Sequence, residues 1–223
     1  MRGCVSSNSD LFPPPATVCP GCRVDYLFLR MRESRSDSAP DSGEQSLAGS
    51  LLLAHPVLRD PHFRRTAILM SAHDAEGAMG VVLNRPLHRK LGEFGADFAL
   101  GPLASVPVFD GGPVEKRQII LCAWRPHGDA NADGFQLLFG LDRERASELA
   151  GQDGVQLRAF LGYAGWSGGQ LEGELKRDTW VVADLEPEFI RQPADESLWR
   201  KILVGLDPQW RLLAGEPDDP GLN

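Results

Sequence analysis

From Leu47 onward the chain alternates short apolar runs with glycine, proline and polar breaks, at the length of strands rather than of long amphipathic helices. The runs predict strands at 50–55, 66–72, 80–83, 106–109, 118–124, 136–141, 155–162 and 180–183. Helical signals are fewer. Residues 143–150 follow Asp142, placed to cap them; 170–177 follow a glycine-rich segment; 195–204 open with acids and stop at Gly205. Several strands precede the first helix, which argues against a doubly wound parallel sheet. The expected fold is α+β, with a mixed, largely antiparallel sheet and flanking helices.

The first 46 residues break this pattern, with Pro13-Pro14-Pro15 and a polar run from Arg32 to Pro40. Such a segment buries too little apolar surface to order itself and reads as a disordered tail, leaving residues 47–223 as one domain. Met31 is an alternative start. Cys4, Cys19 and Cys22 fall in this tail; the Cys19-Pro-Gly-Cys22 spacing suits half a zinc site or a redox dithiol, but no second pair follows. Cys122, in an apolar run, reads as a small buried hydrophobe.

Charge narrows the function classes. The 223 residues carry a formal net charge of −8, and the tail holds only five of the 23 basic and six of the 31 acidic side chains, so the domain itself is acidic. No helix concentrates lysine or arginine, and direct nucleic-acid binding is not expected. No apolar run reaches the roughly 18–20 residues of a membrane span, and a cytoplasmic protein without a membrane partner is expected. His55, His62, His73, His88 and His127 lack local ligand spacing, so neither a metal nor a cofactor is expected.

Residues 162–174, Gly-Tyr-Ala-Gly-Trp-Ser-Gly-Gly-Gln-Leu-Glu-Gly-Glu, read as a strand, a tight turn and a helix. Tyr163 and Trp166 offer flat amphipathic surfaces to a ligand, or else plug the sheet edge. Gln170 and Glu174 share one helical face. Gly165-Trp-Ser-Gly-Gly169 also satisfies the G-x-S-x-G pattern of a serine nucleophile, although every histidine precedes Ser167, the reverse of the order in that hydrolase fold.

Four ordered motifs then suggest a family: Ala54-His-Pro-Val-Leu-Arg-Asp-Pro-His-Phe63, the stretch from His73 to Pro86, Gly111-Gly-Pro113, and the Gly-Tyr-Ala-Gly-Trp run. Together they resemble the YqgE/AlgH family of bacterial proteins over residues 49–215. The resemblance implies a bent, partly closed sheet flanked by helices and a glycine-lined crevice. It also brings a label of transcriptional regulator, without a shared biochemical activity.

Residue by residue, Asn84 and Arg85 lie at a strand end before Pro86, where Arg85 suits a carboxylate or phosphate, or else a turn carbonyl. Gly111 and Gly112 suit an anion nest or a tight turn, with Asp110 beside them. His73 suits either a structural hydrogen bond or a general base. One expectation is a regulatory protein whose crevice, lined by His73, Asn84, Arg85, Asp110, Gly111, Gly112, Tyr163, Trp166 and Gln170, binds a small ligand or a protein partner. The other is a hydrolase using His73 with Asp110 or Glu174, or using Ser167.

Overall fold

A computed structural model describes residues 46–126, 135–186, 188–189 and 194–215. The tail with Cys4, Cys19, Cys22 and Met31, and also His127, lie outside the described residues. Among the described residues nine strands form one mixed sheet curled into a half-barrel: β1 Leu51–Ala54, β2 Ala67–Asp74, β3 Gly77–Val82, β4 Pro86–Lys90, β5 Pro107–Asp110, β6 Val114–Pro126, β7 Phe135–Leu141, β8 Gln156–Ser167 and β9 Trp180–Ala183. Among the described residues four α-helices flank it: α1 Arg143–Ala150, α2 Gln170–Leu175, α3 Ser197–Leu206 and α4 Trp210–Leu213. The main strand order is β4-β5-β8-β3-β2-β1-β9, with β6 paired to both β8 and β7. Among the described residues only β5 and β8 pair in parallel; the other pairings are antiparallel, as expected.

Strand β1 shows how alternation builds both faces. Leu51 and Leu53 enter one apolar cluster with Leu69, Val81 and the α3 residues Leu198, Trp199, Ile202 and Leu203. Leu52 and Ala54 enter another, with Ile68, Met70, Ala78, Trp166, Trp180 and Leu171 of α2. All four β1 residues are wholly buried, and full burial of each leucine is worth about 1.5–3 kcal/mol. The Trp199 indole N–H donates to the Ala54 carbonyl at 2.8 Å and seats α3 on the end of β1. A third cluster joins Ala146 and Leu149 of α1 to Leu121, Ala123 and Ala159 in β6 and β8. The Asp142 carboxylate caps α1 by accepting from the Arg145 N–H, as its position predicts.

Several boundaries differ from the periodicity. Residues 162–167 are no turn: β8 runs unbroken through Tyr163 and Trp166 to Ser167. The glycines allow that strand to change neighbours. Residues 159–161 pair with β5, whereas 164–167 pair with β3, and Gly162 stands between them at φ +69°. A side chain there would strike the carbonyls of Val114 and Gly112. Pro86 starts β4 instead of ending a strand; it stands first in an edge strand, where its missing N–H costs no ladder bond. A register break follows, with His88 at φ +53°. Helix α3 runs past Gly205 to Leu206, and α4 carried no clear sequence signal.

Candidate functional site

Strand β8 and helix α2 hold the densest set of polar contacts around the expected site. The short turn Gly168-Gly169, with Gly169 at φ +75°, brings α2 back over the sheet face that carries Trp166. Gln170 reaches backward from the first helical turn, and its amide oxygen accepts from the Ser167 N–H and from the Ser167 hydroxyl, both at 3.2 Å. Its amide nitrogen donates to Glu174 Oε1 at 3.0 Å. Glu174 Oε2 accepts two indole N–H bonds, from Trp166 at 2.9 Å and Trp180 at 2.7 Å. One carboxylate thereby joins α2, β8 and β9.

His73 belongs to this face. The bulge between Met70 and Ala72 in β2 resets its phase, so that His73 pairs with Ala78, which in turn pairs with Trp166. Its Nδ1 accepts from the Leu47 N–H at 3.1 Å, which places the ring proton on Nε2, 2.7 Å from Glu172 Oε1. The Glu172 carboxyl is held below the usual glutamate range by a backbone hydrogen bond and by this imidazole. The histidine's carboxylate partner is thus Glu172, a residue the sequence motifs did not single out. An acidic residue two positions from the Gln170–Glu174 face was the available signal.

The remaining expected residues are placed elsewhere. Asn84 is buried and clamps two strands' ends: its amide oxygen accepts from the Ala67 N–H at 2.9 Å, and its amide nitrogen donates to the Arg65 carbonyl. Arg85 donates to the carbonyls of Pro61 and Arg64 at 3.2 and 3.3 Å, stapling the β1–β2 loop; burial lowers its pKa from the usual arginine value. The Gly111 N–H donates to Leu161 and the Gly112 N–H to Asp110 Oδ1, so these amides form a strand junction and no anion nest. A side chain on Gly112, at φ +149°, would strike the Tyr163 backbone. Asp110 also faces Lys116 at 3.7 Å. Tyr163 packs against the α3 side of the sheet, opposite Trp166.

The nine expected residues therefore do not converge on one crevice. His73, Trp166 and Gln170 lie on the α2 face, and Tyr163 lies on the other. Trp166 itself is only 7% exposed and stacks 6.4 Å from Phe63, so it closes the sheet instead of offering a platform. Of the residues in the expected catalytic pairings, His73 meets Glu172 and the Ser167 hydroxyl meets Gln170.

Arg158 escaped the sequence reading. It is buried in β8 with its guanidinium 4.6 Å from the Trp124 ring and 5.2 Å from that of Phe109, and burial pushes its pKa down to about 10. Its neighbour Cys122 is fully buried, and desolvation raises its thiol pKa well above the usual value, which makes it a core residue. Among the described residues no group of three or more His, Cys, Asp or Glu is placed to hold a metal, and no helix is long and apolar enough to cross a membrane.

Comparison with known proteins gives this arrangement its relatives. The AlgH-like family model, DUF179, matches residues 51–211. A UPF0301 protein of Streptomyces coelicolor is 41% identical over 187 residues, covering 80% of this chain and 96% of the relative. A UPF0301 protein of Mycobacteroides abscessus is 36% identical, with coverage of 79% and 88%. Among solved structures, the AlgH protein of Pseudomonas aeruginosa superimposes with a TM-score of 0.58 at 25% identity, over 80% of this chain and 98% of that one. A protein of Corynebacterium diphtheriae, at 20% identity and a TM-score of 0.57, shares the fold over 82% and 95%. The sheet that β8 holds together, and the motifs that hold β8 in place, are those of the AlgH-like family, to which this chain belongs.

Proposed function

We propose that the domain is a non-enzymatic regulatory protein that acts through a protein partner and not through direct contact with DNA. The observation that carries this reading is the spending of the motif's polar groups on the scaffold. Glu174 is occupied by two tryptophans and Gln170, His73 by Glu172 and the Leu47 amide, and Asn84 by two backbone groups. A general base needs access to a substrate proton. Here the titratable side chains tie helix, strands and chain entry together. His73, Trp166 and Gln170 lie on one sheet face and Tyr163 on the other, which favours a partner that reads a surface over a small molecule enclosed by all nine expected residues. The excess of acidic over basic residues opposes binding to a phosphate backbone.

The test uses the full chain beside Ser167→Ala and His73→Ala, with a panel of p-nitrophenyl esters and, separately, a fluorescent DNA duplex near physiological salt. No ester turnover that depends on either residue, and no DNA binding, are the expected results. Turnover abolished by Ser167→Ala would establish a hydrolase and defeat this reading. Saturable DNA binding that weakens steeply with salt would defeat the indirect route.

A further inference from the structure

Helices α3 and α4 form a surface that the family motifs do not explain. The inner side of α3 is committed to the core through Leu198, Trp199, Ile202 and Leu203. Its outer side, facing α4, borders a groove of about 430 Å³ lined by Arg200, Lys201, Val204, Gly205 and Arg211. Three cations thus surround a small apolar floor in a protein whose net charge is −8. None of the three takes part in an ion pair among the described residues. The carboxylate between the two helices, Asp207, makes no ion pair with them among the described residues and accepts from the backbone and side-chain nitrogens of Gln209 at 2.9 and 2.6 Å. Asp195 lies within electrostatic range of Lys201 but is turned to Ser197.

The same two helices leave apolar side chains in water. Leu206 is 45% exposed, Leu212 83% and Leu213 41%. A surface that offered cations alone would suit any polyanion. Exposed leucines on the same two helices, with Val204 in the groove floor, ask for a ligand with apolar side chains as well as carboxylates, which a nucleic acid lacks. A second copy of this acidic chain would bring the same cations to the contact in a two-fold arrangement, and like charges would then face each other.

We propose that the α3–α4 groove docks an acidic amphipathic segment of a partner protein, with glutamate or aspartate meeting Arg200, Lys201 and Arg211 and leucine-type side chains covering Leu206, Leu212 and Leu213. This rests on the reading of the domain as a partner-binding module and assigns it a surface and a partner chemistry. Electrostatic complementarity sets association rate and partner choice, while the apolar contacts slow dissociation.

The experiment is fluorescence anisotropy of the full chain with a fluorescein-labelled peptide carrying leucine and glutamate at helical spacing. An otherwise identical peptide with glutamine for glutamate, polyglutamate, and a DNA duplex serve as comparisons. Saturable binding of the leucine–glutamate peptide is expected, weakened about tenfold or more by Arg200→Glu with Lys201→Glu and again by Leu212→Ser. All these positions are exposed, and circular dichroism of each variant confirms the fold. Absence of binding to the wild type, or affinity indifferent to both sets of substitutions, overturns the proposal. Equal affinity for polyglutamate or DNA overturns it in favour of a general anion site. Self-association lost in Leu212→Ser assigns the groove to a second copy and overturns it. Peptide binding that emerges only when Glu216, Asp218 and Asp219 are changed to their amides assigns the groove to the chain's own C-terminal end, with the same consequence. The two failures are separable, since ester turnover lost with Ser167→Ala defeats the binding-module reading, whereas indifference to the peptide defeats this surface alone.

Discussion

Trp166 marks the limit of residue-scale reading. Its composition and neighbours suit a ligand platform, yet the indole is buried, stands edge-to-face with Trp180 at 5.8 Å and donates to Glu174. The sequence identifies an aromatic in a strand but not the face it occupies, because Gly162 at positive φ interrupts the two-residue alternation from which the face would be counted. Glu174 was legible as a polar partner of Gln170; its second role, holding two indoles that lie eight and six residues away, depends on how α2 folds back. Trp166→Ala is expected to cost about 3–5 kcal/mol, through the cavity and the lost indole bond, as read from urea unfolding. A cost below about 1 kcal/mol would show that the side chain relaxes into solvent and would restore it as a binding surface.

Helix α2 has too few turns to be stable alone and is held by what it touches. Leu171 is buried against the sheet, and the His73–Glu172 contact fixes the helix to β2. This contact has a pH signature whose sign follows from the lowered Glu172 pKa. A carboxylate whose folded pKa lies below its unfolded value of about 4.3 contributes its full stabilisation above that value, and loses it as pH falls through the folded one. Glu172→Gln should therefore narrow the loss of stability on acidification from about pH 5 downward, relative to the wild type. Urea midpoints measured across that range check this; parallel declines of the two proteins would show that the contact carries no linkage. The helix itself was readable from its position after the glycines. Its anchor on β2 was not, since the partners are 99 residues apart in sequence and the β2 bulge decides which face His73 takes.

Across the whole molecule, protection from solvent is uneven, and the strand order predicts where. β1 is paired on both sides and buried on both faces, whereas β4 lies at the sheet edge with four of its five residues exposed. Native-state hydrogen exchange should be slowest at amides of β1, of the first half of β2 and of the centre of β8, and markedly faster in β4. Equal protection in β4 and β1 would mean that the sheet opens only as a unit. The apolar runs by themselves determined that the chain is α+β, that most strands lie where they do, and that Asp142 starts α1, because these depend on local alternation and capping. The motif order by itself pointed to the AlgH-like family. Only the tertiary structure decided that β8 passes through its glycines as a strand, that His73 meets Glu172, and that Tyr163 lies on the face opposite His73, Trp166 and Gln170. Those outcomes depend on the bulge in β2, the positive φ of Gly162 and strand pairings between distant segments, whose geometry no local pattern of residues encodes.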